Sequence, residues 1–241
     1  MNSIKGIIFD YGGTLDTAGC HWGQMLWHAY ERQHIPVTYE QFRNAYVYGE
    51  RTLGRNPIIK PDYTFHRTLS TKIRLEMEYL CMHGAWDATE EEFKTAHQAV
   101  LDDLYTEVQR ITSHSVDVLT QLSEHFPMVL VSNFYGNIAC VLREFGFDKF
   151  FPHIIESAVV GIRKPDPRIF ELGVEAFKEP FTPSEVLVVG DSFYKDILPA
   201  QKAGCKTAWF KGEGWTQETY DESVPDIVIT DLVQLLDAIE R

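Results

Sequence analysis

Residues 7–17, IIFDYGGTLDT, join a short apolar run to an aspartate, two glycines and a threonine. The apolar run within residues 4–9 predicts a short strand that is buried on both faces. Asp10 follows at the end of this strand, and ligand sites in α/β sheets lie at the carboxyl ends of the strands. Asp10 is therefore the first candidate site residue, and Gly13 lets the backbone bend closely beside it.

The composition limits the classes of function. Hydrophobic residues make up 44% of the 241-residue chain and charged residues 24%, which is typical of a globular protein. A formal net charge of −13 disfavours nucleic acid or an anionic membrane as a partner. Four scattered cysteines predict reduced thiols, and no apolar run approaches the roughly 20 residues that span a bilayer. We therefore expect a cytoplasmic protein with neither nucleic acid nor membrane as a partner; its oligomeric state is left open.

Strands and helices alternate after about residue 113. Apolar runs predict strands at 128–131, 154–155, 186–189, 207–210 and 227–229. Helical patterns lie around them, at 115–124, 138–145, 168–177, 197–203 and 232–239. Such alternation predicts an α/β fold with a doubly wound, mostly parallel sheet of the flavodoxin or Rossmann type.

The segment between the first strand and this region is different in character. Residues 18–110 show helical periodicity and many aromatic side chains, which favour an all-helical insertion above the sheet. We predict a core domain of residues 1–16 and 113–241 and a helical cap domain of residues 17–112, tethered by two linkers. Residues 51–62 contain Gly54, Pro57 and Pro61 and are predicted to be a loop. Three cations in this loop are candidates for binding an anionic group of a substrate, although solvated surface charge is their more common role: Arg51, Arg55 and Lys60.

Four short segments stand where predicted strands end or a helix begins. They are residues 10–14 (DYGGT), 132–133 (SN), 163–167 (RKPDP) and 190–196 (GDSFYKD). In this order they resemble the four signature motifs of the haloacid dehalogenase superfamily, most of whose members are phosphohydrolases. The resemblance covers the core domain, and the cap is matched only by its place and helical character. It implies a phosphohydrolase that acts on a small phosphorylated metabolite through an aspartyl-phosphate.

The resemblance also implies a metal site. Asp10 is implied to be the nucleophile, and Mg²⁺ the cofactor that removes the repulsion between its carboxylate and the phosphate. Asp191, an Asp10 oxygen and the backbone carbonyl of Gly12 are implied to be ligands. Asp196 is implied to steady the water shell of the metal, although an acid at the start of a helix is an equally common reason for an aspartate there.

The remaining motif residues are implied to hold the phosphoryl group. The Ser132 hydroxyl and the backbone amide of Asn133 are implied to bind its oxygens, and Lys164 to stabilise charge that develops during transfer. Thr14 is implied either to donate to the same group or to brace the loop, and an ordinary turn threonine is the alternative. Gly13 is implied to let the backbone pass closely by the phosphate.

Position 12 departs from the family pattern. Phosphatases of this superfamily usually carry a second aspartate two residues after the nucleophile, which acts as general acid and base, whereas this chain has Gly12. Tyr11 is predicted to point to the opposite face and to be a packing residue. The substitutes that remain are Asp16 at the hinge and two histidines of the first cap helix, His21 and His28.

Three functions remain open because of Gly12. The first is a Mg²⁺-dependent phosphohydrolase whose leaving group needs little protonation. The second is C–P bond cleavage like that of phosphonoacetaldehyde hydrolase, which also has an aromatic and then a small residue after the nucleophile and forms a Schiff base with a cap lysine, here Lys60 or Lys72. The third is a phosphate-binding or regulatory protein with weak or no turnover. True dehalogenation is disfavoured, because it needs no metal and therefore no acids such as Asp191 and Asp196.

Overall fold

One parallel sheet of six strands organises the protein. The computed structural model describes residues 4–239. Every neighbouring pair of strands is parallel, and the strand order is β3-β2-β1-β4-β5-β6. The strands are β1 (Gly6–Phe9), β2 (Met128–Ser132), β3 (His153–Glu156), β4 (Val186–Gly190), β5 (Lys206–Phe210) and β6 (Ile227–Ile229). Each predicted strand is confirmed, with ends that move by one or two residues.

The strand order reverses between β1 and β4. From β1 the chain moves outward through β2 and β3 on one side, and from β4 through β5 and β6 on the other. β1 and β4 pair in register, with Ile7 opposite Leu187 and Phe9 opposite Val189. This order is that of a Rossmann-type doubly wound sheet, as predicted, and such a sheet opens a crevice at the carboxyl ends of the two strands where the order reverses.

Helices cover both faces of the sheet. Alternate residues of β1 point to opposite faces: Ile7 and Phe9 join an apolar cluster with Leu119, whereas Ile8 packs with Ile169 and Phe170. The helices that follow β2 are α5 (Ile138–Glu144), α6 (Ser157–Val160), α7 (Arg168–Glu175), α8 (Leu198–Lys202) and α9 (Gln234–Ile239), with a 3₁₀ turn at Pro183–Glu185 and a π-helical turn at Phe193–Ile197. Four of them confirm predicted helices.

The chain between β1 and β2 is helical. Residues 10–127, all of which the structure describes, contain four helices and no strand: α1 (Trp22–Arg32), α2 (Tyr39–Arg55), α3 (Phe65–Met82) and α4 (Glu90–Leu122). Their aromatic side chains form much of their own interior, with Tyr30, Phe42 and Tyr46 buried in one cluster that continues to the sheet. The helical insertion predicted above the sheet is therefore present.

α4 is longer than the sequence predicted. It starts at a capping box formed by Thr89 and Glu92 and runs unbroken for 33 residues. No glycine or proline interrupts it, and its Ser115 donates a hydrogen bond to the Leu15 carbonyl at 2.8 Å. The second linker that we predicted is instead this helix, and the predicted domain boundary between residues 112 and 113 lies within it. The division into two domains stays a prediction.

The loop predicted at residues 51–62 is shorter than expected. α2 continues to Arg55, so Gly54 lies in its last turn with an exposed backbone. The residue after the helix, Asn56, has an extended backbone (φ −121°, ψ 138°) and precedes Pro57. The residue before a proline is driven out of the helical region by contact with the proline ring, so Pro57 and not Gly54 stops the helix.

No helix among residues 4–239 combines the length and the apolar character needed to cross a bilayer.

Candidate active site

Three carboxylates from two strand ends meet at the crevice between β1 and β4. Asp10 directly follows β1, Asp191 directly follows β4, and Asp196 lies on the π-helical turn after β4. One oxygen from each of them lies within 4.8 Å of the others. The parallel strands bring these residues together, because their carboxyl ends share one edge of the sheet.

Lys164 joins two of these carboxylates. Its ammonium donates to Asp10 Oδ1 at 2.7 Å and to Asp196 Oδ1 at 2.6 Å, and only 4% of the residue is exposed. Asn133 holds the lysine backbone, since its side-chain amide donates to the Lys164 carbonyl at 3.1 Å and accepts from the Lys164 N–H at 3.0 Å. The second and third motifs are thus tied together by side-chain bonds to backbone, and Lys164 is placed beside the proposed nucleophile.

The cluster carries more negative than positive charge. Burial raises the pKa of Asp10 to about 6 against the opposing charge of Lys164, and burial together with the charges of Asp196 and Asp10 raises that of Asp191 well above its ordinary value. Three carboxylates face a single ammonium, so a divalent cation bound among them would offset their excess of negative charge. Carboxylate oxygens are the ligands that Mg²⁺ prefers, and their number and spacing fit this ion.

Ser132 ends β2 and Asn133 follows it, and both line the same cavity as the carboxylates. Ser132 is 1% exposed. Gly13 also lines the cavity, in a conformation that glycine alone adopts readily: its φ is +100°, and a Cβ there would lie 2.4 Å from the Asp191 carboxylate. The predicted close backbone approach at Gly13 is therefore real, but what it makes room for directly is Asp191.

Thr14 does not line the cavity. Its hydroxyl accepts from the Asp191 N–H at 3.0 Å and donates to Asp191 Oδ1 at 3.2 Å, and the residue is fully buried. Of the roles that the sequence left open, this geometry fits the brace: Thr14 ties the first motif to the fourth. These contacts do not support a contact with a phosphoryl group, and the catalytic role that the resemblance implies for Thr14 stays a prediction.

The cavity extends from the carboxylates to the cap helices. Its volume is about 150 Å³, and its cap side is lined by His21, Trp22, Tyr46, Glu50, Phe65, Thr68, Leu69 and Lys72. The three loop cations proposed as substrate contacts, Arg51, Arg55 and Lys60, are exposed and do not line it. Arg163 is exposed but does reach the cavity wall.

Sequence reasoning missed a cluster of three hydrogen-bonded side chains at the cap end of the cavity. Lys72 was a candidate only for a Schiff base, and Glu50 and Tyr135 were not singled out. In the structure Lys72 Nζ lies 2.5 Å from Glu50 Oε1, which also accepts from the Tyr135 hydroxyl at 3.0 Å. Their positions 50, 72 and 135 show no spacing that predicts a site, so the sequence carried no signal for this group.

Comparison with known proteins agrees with this architecture. The sequence model of one family, the haloacid dehalogenase-like hydrolases, matches residues 4–204. The chain belongs to that family. The match takes in all four motifs and every strand up to β4, and so extends beyond any single motif.

Phosphatases are among the relatives of this family member. It is 40% identical over 95 residues to a glyceraldehyde 3-phosphate phosphatase of Pyrococcus furiosus, a stretch that covers 39% of each chain. It is 28% identical over 155 residues to a phosphoglycolate phosphatase of Vibrio vulnificus, covering 62% of this chain and 67% of that one. The chain spans only about a quarter to two fifths of the length of the three phosphatases that are 37% to 45% identical to it.

Solved structures of the family share the fold over the full length. The HAD-hydrolase YfnB of Bacillus subtilis superimposes with a TM-score of 0.61 at 19% identity, and the alignment covers 100% of both chains. That structure was determined bound to magnesium and shows interdomain movement. At this level of identity the likeness establishes the fold alone.

Gly12 lines the cavity of this hydrolase and leaves space beside it. A Cβ at this position would meet only Trp22, at 3.9 Å from its Cδ1 and Nε1 atoms, which is ordinary contact. The indole N–H of Trp22 donates to Asp16 Oδ2 at 2.9 Å, and the Gly13 N–H donates to Asp16 Oδ1 at 2.7 Å. The backbone and its surroundings therefore leave room for a Cβ at position 12. Glycine is not required there for steric reasons.

None of the three residues predicted to substitute for that acid combines a place in the cavity lining with a proton that it can donate near neutral pH. His28 is on the surface between Glu31 and Glu213. His21 lines the cavity, but its Nδ1 accepts from the Gly23 N–H, and burial, reinforced by the charges of Lys195 and Lys72, lowers its pKa to about 3. Asp16 is fully buried, and burial raises its pKa to about 7, but it does not line the cavity. Tyr11 is fully buried against Phe134 and Phe147, which confirms it as a packing residue.

Proposed function

We propose that this hydrolase is a Mg²⁺-dependent phosphohydrolase that cleaves the phosphate monoester of a small metabolite through an aspartyl-phosphate at Asp10. The observation that carries the proposal is the Asp10 carboxylate in the cavity, held at 2.7 Å by the Lys164 ammonium and within 4.8 Å of two further carboxylates. The phosphatases among its relatives support the same reaction class. Their substrates suggest a short phosphorylated metabolite, and the small cavity agrees with that.

Each residue has a role that follows from its position. Asp10 attacks phosphorus, a bond forms between its carboxylate oxygen and phosphorus, and the bond from phosphorus to the leaving alcohol breaks. Lys164 offsets the negative charge of Asp10 and of the transferring group, and Ser132 with the backbone of Asn133 holds the phosphoryl oxygens. Water then attacks the phosphorus of the aspartyl-phosphate, which releases phosphate and restores Asp10.

Four groups would hold the cofactor: the carboxylates of Asp10, Asp191 and Asp196 and the Gly12 carbonyl. When bound, Mg²⁺ supplies a positive charge that lets one anion approach another. Thr14 and Gly13 contribute to this site by fixing Asp191, the first as a hydrogen-bonding partner and the second by leaving space for it.

We propose that residues 17–112 act as a cap that covers the reacting group. Trp22, Tyr46 and Phe65 come from three different cap helices and face the carboxylates across one cavity. A cover of aromatic side chains excludes water, and exclusion of water strengthens every electrostatic interaction beneath it. The interdomain movement of the related YfnB supports a cap that opens and closes.

C–P bond cleavage remains the second candidate because of one lysine. Lys72 lies in the cavity, as a Schiff-base lysine must, whereas Lys60 is exposed and donates to the Pro57 carbonyl. Attack on a carbonyl needs the neutral amine, however, and Lys72 is ion-paired with Glu50. Borohydride trapping with phosphonoacetaldehyde distinguishes the two reactions, since only a Schiff base is trapped.

The proposed function is tested by phosphate release from an activated aryl phosphate and from a panel of small phosphorylated metabolites, with Mg²⁺ and with chelator. The variant is Asp10→Asn, and the matched control is Asp166→Asn, because Asp166 lies in the third motif but pairs on the surface with Arg168. We expect turnover that needs both Mg²⁺ and Asp10 and is unchanged in the control. Binding of phosphate without any turnover would instead support the third function, a phosphate-binding protein.

A further inference from the structure

The cap end of the cavity holds an ion pair that takes no part in the proposed chemistry. Lys72 on α3 and Glu50 on α2 contact each other, and Tyr135, from the loop after β2, donates to the same glutamate oxygen. All three side chains line the cavity that contains Asp10. The part of a substrate that extends away from the phosphoryl group therefore meets this group.

Lys72 is set deep in the wall. It is 7% exposed, and its ammonium lies 4.6 Å from the ring centre of Tyr46 and 5.8 Å from that of Trp22. A buried ammonium is costly unless a charge or an aromatic face compensates it, and here Glu50 and two aromatic rings do so. Only one of its three N–H groups is used by Glu50, so the others remain able to donate to a ligand.

Glu50 remains able to accept. Both Lys72 and Tyr135 donate to its Oε1 atom, and among residues 4–239 no hydrogen-bond donor reaches Oε2. Burial alone would raise the pKa of this carboxyl, but the charge of Lys72 and the two hydrogen bonds outweigh burial and hold it below its usual value. Glu50 is thus an anion that faces the cavity beside a cation, and the pair as a whole is neutral.

We infer that Glu50 and Lys72 select phosphate esters whose far end is an uncharged hydroxyl or carbonyl group, and reject esters that carry a carboxylate there. This inference rests on the proposed phosphohydrolase function. A hydroxyl can accept from Lys72 and donate to Glu50 while the ion pair stays intact. A carboxylate would meet the charge of Glu50, whose free Oε2 has no proton to donate, and like charges at close range repel. A zwitterionic end would have to part Lys72 from Glu50.

Two further cations line the cavity. Arg163 and Lys195 are exposed, and they neighbour the motif residues Lys164 and Asp196 in sequence. Lys195 contributes to lowering the pKa of Glu50, but solvent screens exposed charges, so both cations act more weakly at the cap end than the buried Lys72. Glu50 and Lys72, which come from the cap, determine what is accepted at the other end.

The test compares glycerol 3-phosphate with 3-phosphoglycerate, which differ only in a hydroxymethyl group and a carboxylate at the far end. We expect the wild-type kcat/KM to favour glycerol 3-phosphate by at least about tenfold, and Glu50→Gln to bring the ratio below one, because it removes the repelling charge and leaves the Lys72 ammonium to attract the carboxylate. Glu78→Gln, an exposed glutamate of α3, is the matched control and should keep the wild-type ratio.

Two additions keep the test decisive. If Glu50→Gln does not fold because Lys72 is left unpaired, the double variant Glu50→Gln with Lys72→Met removes both charges together and should bring the ratio close to one. Calorimetric affinities of both esters for Asp10→Asn measure the same preference without turnover. The inference is overturned if the wild type prefers 3-phosphoglycerate or O-phosphoserine, or if neither charge-removing variant changes the ratio. A failure of the proposed function is seen separately, as absence of turnover with every ester, including the activated aryl phosphate.

Discussion

Gly12→Asp is the change that tests most directly what this active site lacks. The Cβ of the new side chain would lie 3.9 Å from Trp22, with no other atom within 4 Å, and the backbone at position 12 is not left-handed. The variant should therefore fold without strain. It would place a carboxyl group on the cavity wall two residues after Asp10, where it can give a proton to the leaving alcohol and later take one from water.

The expected gain follows from the value of general acid–base catalysis. A positioned acid or base contributes about 10² to 10⁴ in rate, which corresponds to about 3 to 5 kcal/mol of transition-state stabilisation. We expect Gly12→Asp to raise kcat for an alkyl phosphate by an amount in this range. The gain should be much smaller for the first step with an aryl phosphate, because that leaving group departs without a proton.

Rapid-mixing kinetics separate the two steps. With an aryl phosphate the wild type should show a burst of phenol followed by a slow steady state, since position 12 carries no acid or base to activate the water that hydrolyses the aspartyl-phosphate. The burst should disappear in Gly12→Asp. Gly12→Asn, which has the same size but cannot transfer a proton, is the control. A folded, Mg²⁺-binding Gly12→Asp that is no faster than Gly12→Asn would refute this reasoning, as would a wild-type time course that is linear from the first turnover.

Two further predictions concern stability and the metal site. Gly13→Ala and Gly136→Ala both force a non-glycine residue to a positive φ (+100° and +97°), at a cost of about 1–3 kcal/mol each, but only the first places a Cβ 2.4 Å from the Asp191 carboxylate. Titration calorimetry should therefore show loss of Mg²⁺ affinity in Gly13→Ala and not in Gly136→Ala; equal affinities would count against the contact. Glu76 is wholly buried with neither oxygen hydrogen-bonded within residues 4–239, and burial, opposed by Lys72 and reinforced by Glu50, raises its pKa from 4.5 to about 8. Between these two pKa values the folded chain keeps a proton on Glu76 that the unfolded chain releases, so the free energy of unfolding of the wild type falls as pH rises through this range. Glu76→Gln lacks this dependence. Its free energy of unfolding relative to wild type, measured by denaturant unfolding, should therefore increase by about 3 kcal/mol between pH 5 and pH 8. A pH-independent difference between variant and wild type would show that Glu76 is ionised in the folded state.

Much of the site followed from the sequence because it depends on strand ends. Ser132 is the last residue of a strand and Asp10 and Asp191 each follow one, and parallel strands bring their carboxyl ends to one edge whatever the details of packing. The alternation of strands and helices predicted that edge, and the structure confirms the sheet and the insertion. The sequence also predicted Tyr11 as a packing residue from the alternation of side chains along an extended chain.

Features that depend on packing between distant elements were not predictable. The sequence suggested a break near residue 113, because the strand pattern starts there, but α4 continues through it, and its buried side chains on both sides, Ile111 and Val118, join one apolar cluster. Arg51 and Arg55 looked like loop cations, whereas α2 carries them outward on its exposed side. Local pattern shows where a helix is favourable, but it does not show which of its faces meets a cavity.

By itself, the sequence determined the fold, the order of the four motifs and the absence of an acid at position 12, since these are properties of local pattern and residue identity. Only the tertiary structure decided that Thr14 braces Asp191, that Gly12 has free space beside Trp22, and that Glu50 meets Lys72 in the cavity. The physical reason is that each of these contacts joins residues from elements far apart in the chain, and their meeting depends on how helices pack on one another and on the sheet.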